Sequence, residues 1–125
     1  MGEMYLDLNV TNINDMTRQA EISFFIDTGA SRSWIPQEIA DRLGIQALGT
    51  LALELADGTV KEYPYGPCFF EFGGEIVAGN VVIGPPNSEP LAGTHVLQDF
   101  RLVIDLSTHT ISRSRAMKAK RMRNA

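Results

Sequence analysis

The sequence is poor in the side chains that form cross-links or bind metal ions. It contains one cysteine, Cys68, which excludes an internal disulfide and fits a reducing compartment. Its two histidines, His95 and His109, are widely separated, so the chain has no spacing typical of a zinc site. We therefore expect neither a metal nor another cofactor.

Long hydrophobic runs are absent as well. No apolar segment approaches the roughly 20 residues that a membrane-spanning helix needs. The start, Met1-Gly2-Glu3-Met4, lacks the positive charge of a signal peptide. We expect a cytoplasmic protein without a membrane partner, and its 125 residues correspond to one domain with a core of its own.

Positive charge is scarce over most of the chain. Residues 1–112 contain five basic residues against fifteen acidic ones, a net charge of −10, whereas residues 113–125 carry six basic residues and no acidic one. This division predicts a domain over residues 1–112, followed by a basic, flexible C-terminal tail over residues 113–125. A basic tail can bind nucleic acid. Because residues 1–112 are so acidic, we expect no nucleic-acid partner, and only a mild preference for basic peptides.

Short strands separated by turns dominate the pattern. Alternating apolar residues and turn signals predict strands over residues 5–10, 18–26, 51–55, 59–63, 69–72, 75–77, 81–83, 102–106 and 110–112. Short helices are predicted over residues 36–44 and around 94–99, the second with Thr94 as N-cap. Asp57-Gly58 favours a two-residue hairpin turn, and Trp34 is expected in the core. The predicted fold is mainly β, a small closed β-barrel with one or two short helices.

One segment delivers a carboxylate from an apolar strand into a turn. Residues 22–26 are apolar apart from Ser23, which predicts a buried strand that ends directly before Asp27-Thr28-Gly29. Burying a carboxylate costs several kcal/mol unless donors receive it. Gly29 permits a tight turn whose N–H groups point back at Asp27. The simpler interpretation is an ordinary β-turn that begins at an aspartate, so the flanking segments have to decide.

The order of the flanking segments resembles the retropepsin-like aspartic peptidases. The active-site segment of that family is similar to Phe25-Ile26-Asp27-Thr28-Gly29-Ala30-Ser31, followed by a helix that ends at Leu43-Gly44. The hairpin at Ala56-Asp57-Gly58-Thr59 is similar to the flap of the family, and Leu91-Ala92-Gly93 is similar to the apolar segment near its active-site turn. The resemblance covers residues 5–112 and implies the acid-protease fold.

The resemblance also implies a site and an assembly. One chain of such a peptidase is half an enzyme, and each of two paired chains contributes one aspartate. This sequence contains Asp-Thr-Gly once and no Asp-Ser-Gly. The family pattern therefore implies Asp27 as the catalytic residue, with Thr28, Gly29, Ala30 and Ser31 supporting the turn. It implies a substrate-binding flap at Ala56, Asp57, Gly58 and Thr59, and structural support under the site from Leu91, Ala92 and Gly93.

The implied function is an aspartic endopeptidase that acts as a homodimer on a peptide or protein substrate. A water activated between two Asp27 carboxylates, one from each chain, would hydrolyse the peptide bond. Two alternatives stay open. The chain could be a catalytically quiet dimerisation or peptide-binding module of the same fold, for which the acidic Asp57 at the flap tip leaves room. It could also be a structural β-domain with an incidental turn. The intact Asp27-Thr28-Gly29 favours the enzyme.

Overall fold

The computed structural model describes residues 3–116, and this part of the chain contains nine strands and two short helices. In chain order the elements are β1 (Tyr5–Thr11), β2 (Gln19–Ile26), β3 (Ser33–Pro36), α1 (Gln37–Leu43), β4 (Gly49–Glu54), β5 (Val60–Phe72), β6 (Glu75–Gly84), β7 (Leu91–Ala92), α2 (Thr94–Asp99), β8 (Leu102–Asp105) and β9 (Thr110–Arg113). The prediction of a mainly β fold with one or two short helices is confirmed.

Seven of these strands form one curled sheet, in the order β1-β2-β7-β3-β6-β5-β4. β1 pairs with β2 along its whole length and also with β5 through residues 9–11, so the sheet returns to its first strand. Two parallel pairings, β2 with β7 and β3 with β6, cross its middle. β7 also pairs with β3 in the antiparallel direction, so the end of β2 and the start of β3 lie on opposite sides of β7, which positions the Asp27 turn.

The core lies inside the curl, because alternate residues of each strand point inward. The inward residues of β1 and β2 are fully or almost fully buried: Leu6, Leu8, Val10, Ile22, Phe24 and Ile26. Burying one such side chain is worth about 1.5–3 kcal/mol. The hairpin that ends at Asp27 is therefore anchored in the core along its length.

β5 differs from the two separate strands predicted over residues 59–63 and 69–72. It is one strand of 13 residues, which pairs with β4 up to residue 65 and with β6 from residue 65 onward. Pro64 and Pro67 suggest a break, because proline cannot donate a ladder hydrogen bond. Both lie where β5 is paired on one side only, so a residue without an N–H is tolerated.

The turn between β4 and β5 is longer than the predicted two-residue turn at Asp57-Gly58. The Leu55 N–H donates to the Thr59 carbonyl at 2.7 Å, and the Gly58 N–H donates to the Leu55 carbonyl at 2.9 Å. Of the three residues between Leu55 and Thr59, only Gly58 has a positive φ, 87°. A two-residue turn of the predicted type needs positive φ at both central residues. The observed connection is instead the three-residue kind that ends on a left-handed glycine.

The two helices are short and both contact β3, while α1 also contacts β6 and α2 also contacts β8. α1 begins after Pro36 and ends at Gly44, which has a φ of 69° and donates its N–H to the Asp41 carbonyl. α2 begins after Gly93, so the prediction of Thr94 as N-cap is wrong. Thr94 is the first helical residue, and its N–H is used by the Asp27 turn.

The C-terminal strands reach beyond the predicted domain boundary at residue 112. β8 and β9 form a separate two-stranded sheet that ends at Arg113. The Arg113 side chain pairs with Glu75 of β6, and its guanidinium lies 5.4 Å from the ring centroid of Phe72. Arg101 binds the same Glu75 at 2.9 Å. Arg113 therefore packs on the folded body, and residues 117–125 of the predicted tail lie outside the described residues.

Candidate active site

Asp27 directly follows β2 and opens a tight turn. Its N–H donates to the Ala92 carbonyl at 3.0 Å, and its own carbonyl accepts the Ala30 N–H at 3.1 Å. The carboxylate oxygen Oδ1 accepts the Gly29 N–H at 3.0 Å, a local donor of the kind that the sequence predicts. A Cβ at residue 29 would lie 3.3 Å from this oxygen, so any larger residue would crowd the carboxylate. Asp27 is half-buried in the single chain.

The start of α2 holds the far side of the turn. The N–H groups of Thr94 and His95 donate to the carbonyls of Ala30 and Ser31, at 2.8 and 3.1 Å. The first N–H groups of a helix have no partner within the helix. The turn and the helix therefore satisfy each other's backbone groups, which fixes the turn relative to the core.

The segment before α2 lies directly against the turn. Ala92 is fully buried, and Leu91 is half-buried at the edge of the cleft described below. The Gly93 N–H donates to the buried Ser33 hydroxyl at 3.1 Å. A Cβ at residue 93 would lie only 2.5 Å from the Arg32 carbonyl oxygen, so the two backbones can approach this closely only with glycine.

A cleft of about 650 Å³ opens in front of Asp27. The turn side of the cleft contributes Asp27, Gly29, Ala30, Ser31, Arg32, Trp34 and Leu91, and the β4–β5 hairpin contributes Leu53, Glu54, Leu55 and Ala56. Clefts of this size are typical of ligand sites. The hairpin thus faces Asp27 across the cleft. Of its four predicted binding residues only Ala56 lines the cleft, while Asp57, Gly58 and Thr59 form the tip.

The hairpin tip is stabilised by its own aspartate. Oδ1 of Asp57 accepts hydrogen bonds from the Thr59 hydroxyl at 2.7 Å and from the Thr59 N–H at 3.0 Å. These bonds lower the pKa of Asp57 below its ordinary value, and the bond from the hydroxyl contributes more than the bond from the backbone. The acidic tip therefore supports the turn of the hairpin and does not line the cleft.

Trp34 lines the cleft, whereas the sequence predicts it in the core. It is half-buried, and its indole ring packs against the Tyr63 ring of β5, with centroids 4.9 Å apart. Ser33 and Ile35, its neighbours in β3, are buried on the opposite face. Had residues 33–36 been recognised as a strand, alternation would have placed Trp34 on the face of the cleft.

Thr28 lies on the open side of the turn. It is exposed in the single chain, and its hydroxyl has no hydrogen bond within residues 3–116. Ser31 is exposed as well. A threonine hydroxyl at the rim of a half-buried carboxylate is available to a second molecule.

The side chains that could act as nucleophiles elsewhere are poorly placed for that role. Cys68 is fully buried in β5, and burial raises the pKa of its thiol to about 12. The thiolate, which is the reactive form, is therefore scarce at neutral pH. The Ser33 hydroxyl is buried and accepts the Gly93 N–H. His95 lies on the exposed side of α2.

Within residues 3–116, no three His, Cys, Asp or Glu side chains converge in an arrangement that could hold a metal ion. In the same part of the chain, neither helix is long and apolar enough to cross a membrane.

Comparison with known proteins defines the class of the protein. The family model described as "gag-polyprotein putative aspartyl protease" matches residues 12–99, which include the Asp27 turn, the β4–β5 hairpin and β7. The chain belongs to this family, and the resemblance to retropepsin-like aspartic peptidases is confirmed. A search of curated proteins finds no match.

Solved structures of retropepsin type share the fold. EIAV protease complexed with the inhibitor HBY-793 is 17% identical, with a TM-score of 0.61 over 78% of this chain and 88% of that one. The retroviral protease-like domain of Ddi1 from Leishmania major is 14% identical, with a TM-score of 0.62 over 93% and 91%. A retropepsin-like aspartic protease from Rickettsia conorii is 20% identical, with a TM-score of 0.58 over 83% and 77%. At these identities the likeness shows the fold alone.

Proposed function

We propose that the protein is an aspartic endopeptidase that acts as a homodimer, with Asp27 of each chain as the catalytic residue. The observation that carries the proposal is the position of Asp27 in a cleft of about 650 Å³, opposite the β4–β5 hairpin. The chain contains one Asp-Thr-Gly, so the second carboxylate has to come from a second copy. Membership of an aspartyl protease family supports the same reaction.

In the proposed mechanism, the two Asp27 carboxylates meet at the two-fold axis of the dimer and hold one proton between them. Two like charges so close together cannot both ionise cheaply, which is a general property of the aspartic-protease pair. The ionised carboxylate takes a proton from a water molecule, whose oxygen attacks the scissile carbonyl carbon. The protonated carboxylate donates to the carbonyl oxygen. Breaking the C–N bond, with a proton passed to nitrogen, releases an acid and an amine.

Two other elements receive roles in this proposal. The β4–β5 hairpin acts as a flap that covers an extended peptide, excludes water and offers main-chain hydrogen bonds. Thr28 acts at the dimer axis, where its exposed hydroxyl would bond to the turn of the partner chain. Its lack of a hydrogen bond within residues 3–116 supports this role.

The test is cleavage of a mixed peptide library, from acidic to neutral pH, by wild type and by Asp27→Asn. We expect wild type to cleave and Asp27→Asn to lose cleavage while keeping its fold. Asp41→Asn is the matched control, because Asp41 lies on α1 and its Oδ1 accepts a hydrogen bond from Gln37 that asparagine can also accept. Cleavage by Asp27→Asn at the wild-type rate would refute the assignment. A dimeric wild type that cleaves nothing would favour the catalytically quiet binding module.

A further inference from the structure

Arg32 is a basic residue in the lining of the cleft. It directly precedes β3, in which Ser33 and Ile35 point into the core. Alternation therefore puts Arg32 on the same face as Trp34, and both residues line the cleft in front of Asp27. The other charged residues of that lining, Asp27 and Glu54, are acidic, so among residues 3–116 Arg32 is the one basic residue of the cleft.

Arg32 is half-buried, and its side chain has no partner within residues 3–116. The ion pairs within residues 3–116 both involve Glu75, which does not line the cleft, and no hydrogen bond of the Arg32 guanidinium occurs in that part of the chain. Arg32 also borders a second cavity of about 220 Å³, where it meets His95 and Asp99 without an ion pair to Asp99. A guanidinium that is partly removed from water gains by binding an anion.

We propose that Arg32 is a specificity-determining residue that binds a carboxylate-bearing side chain of the peptide, glutamate or aspartate, in the cleft beside Asp27. The inference rests on the proposed peptidase function, and it names the substrate class of that site. Guanidinium and carboxylate form two parallel hydrogen bonds in a fixed geometry, so the contact selects a carboxylate over the isosteric amide.

This inference differs from the mild preference for basic peptides that the acidic body predicts. The net charge acts at long range, and exposed charges further apart than a Debye length of about 8 Å are largely screened at physiological salt. A direct contact with a half-buried guanidinium is screened much less. At the position that reaches Arg32, the contact therefore decides the preference.

The experiment uses the full chain and a set of peptides that differ at one position by Glu or Gln, with the pair moved along the sequence. Each peptide is made with an amidated and with a free C-terminus, so that a carboxylate from an internal side chain is distinguished from a terminal one. We expect wild type to prefer internal Glu over Gln by about ten-fold in kcat/KM at one position, with the C-terminus amidated. In Arg32→Gln the ratio should fall close to one.

The Glu-to-Gln ratio is the readout because misfolding lowers cleavage of both peptides alike and leaves the ratio unchanged. Arg42→Gln is the matched control, since Arg42 is exposed on α1 outside the cleft. Arg32→Met, which is uncharged and as long as glutamine, replaces Arg32→Gln should that variant fail to fold. A wild-type ratio near one at every position would overturn the inference. A Glu-to-Gln ratio that stays above one in Arg32→Gln would also overturn it, and so would a preference for Glu that requires the free C-terminus.

A binding measurement distinguishes failure of this inference from failure of the proposed peptidase function. Fluorescence anisotropy of the same peptides with Asp27→Asn, alone and combined with Arg32→Gln, reports the contact without any cleavage. Preferential binding of the Glu peptide that is lost with Arg32 supports the inference even in a protein that cleaves nothing. Equal binding of both peptides, or binding of neither, overturns it.

Discussion

The indole ring of Trp34 packs edge-on against the Tyr63 ring, with centroids 4.9 Å apart and ring planes at 69°. Trp34 belongs to β3 and lines the cleft in front of Asp27, whereas Tyr63 belongs to β5, the second strand of the β4–β5 hairpin. The contact joins the two walls of the cleft near the base of the hairpin. It therefore links the position of the hairpin to the position of the Asp27 turn.

Removal of the Tyr63 ring should loosen the hairpin over the site. Aromatic pairs of this geometry are worth about 0.5–1.5 kcal/mol beyond their buried area. We expect Tyr63→Ala to lower kcat/KM about two- to ten-fold, and Tyr63→Phe, which keeps the ring, to stay close to wild type. Steady-state kinetics on one peptide checks this. Equal losses in both variants would show that the hydroxyl matters rather than the ring.

Gly93 should not tolerate a side chain. A methyl group there would lie 2.5 Å from the Arg32 carbonyl oxygen, and backbone cannot yield as a flexible side chain does. Such overpacking typically costs about 1–3 kcal/mol, so we expect Gly93→Ala to lower the free energy of unfolding by about 1–3 kcal/mol or more. Urea denaturation measures it. Gly49→Ala is the control, since its nearest contact would be 3.4 Å from the Tyr65 ring. A Gly93→Ala protein as stable as wild type would contradict the close approach.

The ion pairs of Glu75 should make stability depend on pH in the acidic range. The hydrogen bond from Arg101, and further contributions from Arg101 and Arg113, hold the pKa of Glu75 below its ordinary value of 4.5. The resulting stability is fully present above pH 4.5 and is lost as the pH falls through the lower pKa of the folded state. We expect Glu75→Gln to melt below wild type at neutral pH, and the gap in Tm to close in acid.

The control for Glu75 is Glu21→Gln, an exposed position on β2. Thermal melts of the three proteins at several pH values provide the comparison. A Tm gap between wild type and Glu75→Gln that stays constant down to strongly acidic pH would argue against the ion pairs as its cause.

Thr28 should matter for association of two chains rather than for folding of one. Its hydroxyl is exposed and has no hydrogen bond within residues 3–116. Two symmetric hydrogen bonds worth about 1 kcal/mol each would make the dimer Kd of Thr28→Ala about thirty-fold weaker, with Thr28→Ser close to wild type. Analytical ultracentrifugation over a dilution series measures this Kd. A dimer Kd of Thr28→Ala equal to that of wild type would show that Thr28 does not bond across the dimer axis.

Local signals explain which parts of the fold could be predicted from sequence. The hairpin ending at Asp27 combines alternating apolar residues with a turn, and α1 lies between Pro36 and Gly44, so neither depends on distant partners. β5 could not be predicted as one strand, because Pro64 and Pro67 are tolerated only where a neighbouring strand is absent on one side. That depends on the tertiary pairing.

The candidate site shows the same division. The Gly29 N–H bond to Asp27 is local, and the sequence predicts it. Trp34 and Arg32 enter the cleft because β3 is inserted between β6 and β7, and no short-range pattern reveals this pairing. The charge pattern predicts that Arg113 belongs to a basic tail, whereas its contact with Glu75, 38 residues away along the chain, depends on the tertiary structure.

Subunit mixing shows whether one active site needs Asp27 from two chains. Wild type and Asp27→Asn are unfolded together in varied proportions, refolded at constant total concentration and assayed on one cleavable peptide. If both carboxylates are required, activity follows the square of the wild-type fraction and falls to about one quarter in an equal mixture. A linear decline, with about one half of the activity in an equal mixture, would show that each chain works alone and would contradict the account.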